Sequence, residues 1–218
     1  MSRTKLTALC LLALMPLAAC KIVKNPDPVQ PSAEGQGQAA QTAGSDEARM
    51  AARAAELWNP KILPYIAEKA TDIATLRAAL KDGPDAAESY GFRPAAEGSP
   101  WNFIAKGEGK IVAEDRKSRA AKLELDTDGD GAGDVTVQLG PVMKGTTLRD
   151  SLNFLVFTDY RDQIEFAKLA RALNDHAHAA LSLPEGDLTG RNVAFSGAFT
   201  IRTKGEAILL TPVTLEVK

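Results

Sequence analysis

WNFIAKGEGKIVAEDRKSRAAKLELDTDGDGAGDVTVQLGP, residues 101–141, decides the architecture of this chain. Trp101 to Ala105 are strand formers, and Ile111-Val112 continue the strand to Glu114. Gly107 and Gly109 between them predict a sharp bend or bulge. Residues 119–126 alternate, with Ala121, Leu123 and Leu125 on one face and Lys122 and Glu124 on the other. Residues 134–139 alternate again, Val135, Val137 and Leu139 inward, Thr136 and Gln138 outward, until Gly140-Pro141. Period-two alternation is the mark of strands with one buried face.

Downstream, a loop with room for one helical turn leads to a helix over about 160–181, marked by Ile164, Phe166, Ala167, Ala170, Leu173, Asn174 and Ala177, and ended by Pro184 and Gly186. Val193, Phe195, Phe199 and Ile201 mark a fourth strand; Ala207, Leu209, Val213, Leu215 and Val217 mark a fifth. Three strands, a helix and two strands is the element order of an OB-fold, the five-stranded Greek-key barrel. A long first strand with internal glycines fits, because it must serve both halves of the barrel.

Upstream, residues 45–99 read as helical. Ser45 caps a helix opened by Asp46 and Glu47, with Met50, Ala54 and Leu57 as its apolar stripe and Trp58 beside it. Asn59-Pro60 is expected to interrupt it, Pro60 opening a second helix with Ile62, Leu63, Ile66 and Ala70. Thr71 is expected to cap a third, carrying Ile73, Leu76 and Leu80 and ended by Gly83-Pro84, and a short helix through Ala86-Ala87 stops near Gly91. The expected class is α+β: N-terminal helices packed on an OB-like barrel over 100–218.

The start of the chain reads as an address. Arg3 and Lys5 precede an apolar run from Ala8 to Leu17, followed by Leu17-Ala18-Ala19-Cys20. That run is about ten residues, against roughly twenty needed to span a bilayer, so a cleaved secretion signal over 1–19 is expected. Leu-Ala-Ala-Cys resembles the bacterial lipobox, in which the cysteine sulfur receives a diacylglycerol and the freed amine is acylated. Cys10 leaves with the signal, so Cys20 has no disulfide partner in the mature chain. By resemblance to Gram-negative sorting, Lys21 rather than Asp after the cysteine favours the outer membrane. Residues 20–44, with Pro26, Pro28, Pro31 and several Gln and Gly, read as a tether.

Charged residues make up 25% of the chain, and the part after residue 19 keeps 24 basic and 28 acidic side chains, a net −4. A mildly acidic surface argues against nucleic acid. Asp126-Thr127-Asp128-Gly129-Asp130-Gly131-Ala132-Gly133-Asp134 has the carboxylate spacing one, three, five and nine, with glycine at six, of a calcium loop. Asp126, Asp128, Asp130 and Asp134 are therefore candidate Ca²⁺ ligands, although position twelve is Val137 and the flanks are strands. The alternative is an acidic hairpin turn. No cofactor is required by any motif. Arg149, Lys122 and Gln138 are candidate ligand-binding residues, Arg149 alternatively ordering its loop through Asp150. Lys122 and Gln138, with Glu124 and Thr136, lie on the face that OB-folds use for oligonucleotides or sugars. His176 and His178 are two apart on a helix and form no metal pair; both are expected to face solvent or end the helix. Ser196 lacks the Gly-x-Ser-x-Gly elbow, and Glu108 has no evident partner. A non-enzymatic protein is expected, an unrecognised hydrolase being the minor alternative.

Several motifs also fall in a familiar order: Cys20-Lys21-Ile22-Val23-Lys24, Tyr90-Gly91, Ser99-Pro100-Trp101-Asn102-Phe103, Gly107-Glu108-Gly109, Gln138-Leu139-Gly140-Pro141-Val142, Gly145-Thr146, Leu148-Arg149-Asp150, Gln163-Ile164-Glu165, Ser196-Gly197-Ala198-Phe199 and Thr211-Pro212-Val213. Together they resemble a family of predicted periplasmic lipoproteins, domain-of-unknown-function family 2291. The resemblance implies an anchored, non-enzymatic protein, often encoded beside sugar-uptake ABC transporter components. It brings no reaction. The expected partners are the membrane, through acyl groups, and a transporter or other envelope protein, or a sugar. A structural envelope lipoprotein stabilised by calcium is the competing expectation.

Overall fold

In the computed structural model, residues 44–218 are described; the signal, Cys20 and nearly all of the tether lie outside them. The first helix, α1 (Asp46–Leu57), begins where Ser45 predicts, its hydroxyl accepting from the Ala48 N–H at 3.3 Å. Met50, Ala54 and Leu57 are buried as the stripe requires. Asn59-Pro60 does not end the helix. A π-helical turn (Trp58–Ile62) carries it into α2 (Leu63–Lys69), with the Leu63 N–H bonding the Trp58 carbonyl. Proline has no N–H to give and crowds the preceding turn; widening that turn to i→i+5 keeps the chain helical.

Thr71 is not the next cap. Thr71–Asp72 form a short strand, β1, parallel to the long strand below, and the Asp72 carboxylate accepts from the Ala74 N–H at 2.9 Å to start α3 (Ile73–Ala79). Two 3₁₀ segments (Leu80–Asp82 and Pro84–Tyr90) lead to β2 (Gly91–Phe92). Residues 71–72 and 91–92 are too short to show a strand period, so both strands were invisible in the sequence.

The barrel consists of β3 (Trp101–Asp115), β4 (Ala120–Asp126), β5 (Val135–Pro141), β6 (Asn192–Ile201) and β7 (Ile208–Val217). Its order is β3-β4-β5-β7-β6, closed by β6 pairing back onto β3. Among these five strands only β5 and β7 pair in parallel. The expected OB topology is thus the observed one. β3 serves both halves, pairing with β6 over 101–110 and with β4 over 110–115. A Cβ on Gly107 would lie 2.6 Å from Ile73 Cγ2, and one on Gly109 would lie 2.9 Å from the Asp126 carbonyl. These glycines are therefore needed for close approach.

The helix between strands three and four is α5 (Gln163–Ala180), capped by Asp162, whose carboxylate accepts from the Glu165 N–H at 2.8 Å. Its inward face keeps Ala170, Leu173, Asn174 and Ala177 from the expected stripe, but its first turns differ: Glu165 and Leu169 are buried, while Ile164 is 64% exposed. Glu165 takes the inward place because it accepts the Arg161 N–H at 2.8 Å and pairs with Arg49 at 2.5 Å. Between β5 and α5, Thr147–Asp150 form one helical turn, α4.

Two buried clusters result. Inside the barrel lie Phe103, Ile111, Leu123, Leu125, Val137, Phe195, Phe199 and Leu215, joined by Ile73 and Leu76 from α3. Outside it, Leu57, Trp58, Ile62 and Ile66 meet Leu148, Leu169 and Leu173 over the outward-facing Ile104, Ala198 and Val213. Each such side chain contributes about 1.5–3 kcal/mol on burial, so the N-terminal helices share both cores with the barrel. Among the described residues no helix is long and apolar enough to cross a membrane.

Candidate functional site

The open face of β4 and β5 carries a groove of about 600 Å³. It is lined by Lys122, Thr136, Gln138, Val142, Lys144 and Leu209, with Asp115 and Glu206 at its rim. Lys122 binds the Glu124 carboxylate at 2.7 Å, and the Thr136 hydroxyl donates to its other oxygen, also at 2.7 Å. The Glu124 partner raises the Lys122 pKa above the ordinary lysine value, so the two form an ion pair on the groove wall at neutral pH. Two apolar side chains stand free there, Val142 at 45% and Leu209 at 39% exposure.

Leu209, a marker of the fifth strand with Leu215 and Val217, is exposed, whereas Ile208 and Leu210 are buried. β7 is bulged at Val213, which has no partner between the pairs Gly197–Pro212 and Ser196–Thr214. The alternation read from Leu215 and Val217 therefore changes phase before it reaches Leu209. Gln138 lines the groove with Thr136, on the outward face expected for it, but is buried there. Its amide donates to the Thr211 hydroxyl at 3.1 Å and to the Lys144 carbonyl at 3.3 Å, and accepts from the Lys144 N–H at 2.7 Å. It spans the point where β5 and β7 part and fixes the loop that forms one groove wall. Of the three ligand-binding candidates, Lys122 and Gln138 meet at the groove and Arg149 does not. Arg149 stacks on Phe166, 3.8 Å from the ring centroid, binds Asp150 with two N–H groups and donates to the Phe166 carbonyl at 3.0 Å.

The aspartate loop joins β4 to β5. Asp126 accepts from the N–H groups of Gly129 (2.6 Å), Gly131 (2.9 Å) and Asp128 (3.2 Å). The Gly129 amide, ahead of the opposing desolvation, holds this carboxyl below the usual range. Gly129 and Gly131 have φ of 84° and 88°, left-handed values that suit glycine. Oxygens of Asp126, Asp128 and Asp130 lie within 4.8 Å of one another. Asp134 is held elsewhere, accepting from Thr127 and pairing with Arg77 at 3.0 Å. Arg77 also binds Asp128 at 3.0 Å. It lies fifty positions away in sequence and carried no signal of this role. Position twelve, Val137, is sealed inside the barrel. The loop thus gathers three carboxylates of the hard-oxygen type calcium favours, with an arginine already beside them, and no twelfth-position ligand.

The remaining candidates are engaged in structural contacts. His178 lies in the last turn of α5, as expected, and its Nδ1 donates to the Leu139 carbonyl at 2.7 Å. His176 is half-buried rather than facing solvent, 4.4 Å from the Trp58 ring, where burial lowers its pKa. Glu108 pairs with Lys218 at 2.6 Å, and the Ser196 hydroxyl bonds Thr214 at 2.7 Å.

A sequence profile described as predicted periplasmic lipoprotein (DUF2291) matches residues 10–216. No curated protein matches the chain. A crystal structure described as an OB-fold protein from Thermotoga maritima MSB8 superposes with a TM-score of 0.59 at 21% identity, covering 78% of this chain and 98% of that one. That likeness concerns the fold alone.

Proposed function

Because the chain belongs to the predicted periplasmic lipoprotein family DUF2291, a family of exported, lipid-anchored proteins, we propose that it is a non-enzymatic accessory module of solute uptake. Cys20 carries the lipid in this reading, and Lys21 directs it to the periplasmic face of the outer membrane. The observation that supports a binding role is the β4–β5 groove, where Val142 and Leu209 stand exposed between Lys122 and Lys144. Apolar contacts beside charged side chains of both signs suit an extended segment of an envelope transport protein better than a nucleic acid; a saccharide is the second candidate occupant. The engagement of Glu108 by Lys218 and of Ser196 by Thr214 supports a non-catalytic reading.

A photo-crosslinking residue at position 209, compared with one at Asp130, tests this in intact envelopes. The reading expects a product specific to position 209 that contains a solute-uptake component and disappears with Leu209→Asp at a neighbouring probe. Identical products from both positions count against it. A second reading has some support in the three clustered carboxylates: a structural lipoprotein whose aspartate loop takes Ca²⁺ in competition with Arg77. Calorimetric heat and a calcium-dependent rise in melting temperature are its signature; neither at millimolar calcium rejects it.

A further inference from the structure

Three of the six large apolar side chains exposed among the described residues lie within nine positions: Val156 (48%), Phe157 (44%) and Ile164 (64%). Val156 and Phe157 sit on the segment that leads into α5, and Ile164 sits in its first turn. The segment is held firmly from beneath. Phe157 and Tyr160 pack on Phe166 with centroids 5.7 and 5.0 Å away, and Arg149 clamps the Phe166 ring and carbonyl. These side chains are thus presented on a braced surface.

The described chain begins at this same place. Asp46, the first residue of α1, accepts from Arg161 at 2.7 Å and from Lys168 at 3.2 Å, and Arg49 binds Glu165. The polypeptide that runs back to Cys20 therefore leaves the fold beside Arg161 and Ile164. Only 23 residues lie between Cys20 and Gly44, a reach of at most about 85 Å. A covalent anchor keeps the bilayer at high local concentration, so a small apolar patch suffices to seat a face that is already nearby. Apolar and tyrosine side chains are the types that enter the headgroup boundary.

We propose that the face formed by Val156, Phe157 and Ile164 rests on the bilayer that holds the lipid anchor, with these side chains at the acyl boundary. The inference rests on lipid anchoring, and its test reads the two separately. The mature chain has no cysteine besides Cys20, so one introduced thiol can be labelled uniquely after lipidation. Ile164→Cys and Asp130→Cys, each carrying bimane, are purified as the full lipoprotein and reconstituted into phosphatidylethanolamine–phosphatidylglycerol vesicles with spin-labelled acyl chains. Both are expected to sediment with the vesicles. Quenching at position 164 is expected to exceed that at position 130 by at least about twofold, and Phe157→Glu is expected to abolish the excess. Equal quenching overturns the proposal, whether the face meets a second copy or solvent. Failure of both proteins to sediment overturns anchoring and this occupant with it.

Discussion

Arg149 has little freedom in this fold: its side chain is 12% exposed, bound to Asp150 and stacked on Phe166. Arg149→Ala removes the side-chain donor to the Phe166 carbonyl and both donors to Asp150 Oδ1, leaving Asp150 only the Thr146 hydroxyl on its other oxygen. A destabilisation of about 2 kcal/mol is expected, read as a lower urea midpoint at unchanged slope. Arg149→Lys is expected to recover less than half, because an ammonium cannot stack and fork at once. No change in either variant would remove the buttressing role. At this scale the sequence was informative where one residue type answers one demand. Ser45 capped α1, and Gly107 and Gly109 sit where β3 is closely approached, although its register shift falls at Ile111–Ala113 rather than at the glycines. It was silent where the demand came from far away. Nothing near Gly197 indicates that a Cβ there would strike the Thr211 carbonyl, and nothing near Arg77 points to the aspartate loop.

Among elements, α1 and α5 are joined at their N-terminal ends by Asp46, Arg49, Arg161, Glu165 and Lys168. Hydrogen bonds from Arg161 hold the Asp46 carboxyl well below the ordinary range, and the Arg161 N–H, with Arg49, lowers the Glu165 pKa. A carboxyl depressed in the folded state stabilises it above the unfolded pKa, near 4, and loses that contribution as pH falls through the folded value. Thermal stability should therefore decline as pH drops from about 5 towards 2. Asp46→Asn with Glu165→Gln should flatten the decline while lowering stability at pH 7. An acid profile identical to that of the unsubstituted protein contradicts this. Element type and order were legible from periodicity alone: all five barrel strands and α5 fall where the pattern places them. Phase was less so. The bulge at Val213 shifted Leu209 outward, and Glu165 displaced Ile164 from the buried face, because long-range pairing overrides a local stripe.

At the scale of the molecule, Ile73 and Leu76 enter the barrel's interior while Leu57, Trp58, Ile62 and Ile66 cover its outside. Residues 100–218 alone would expose both surfaces, so that fragment is expected to lack a cooperative thermal transition that residues 45–218 show. A cooperative fragment would mean that the helices are dispensable. The barrel was readable because its element order is distinctive; the groove on β4 and β5 was half readable, through Lys122 and Gln138, while Val142, Lys144 and Leu209 needed the folded arrangement. The family gives a lipid-anchored periplasmic protein, and both the groove and the apolar face take their meaning from that anchor. Intact-mass and peptide mass spectrometry of the protein extracted from membranes tests it most directly. The account predicts a chain that starts at Cys20 and carries a thioether-linked diacylglycerol with an acylated amine. An unmodified Cys20 thiol, or a retained amino-terminal segment on a species outside the membrane fraction, would contradict it.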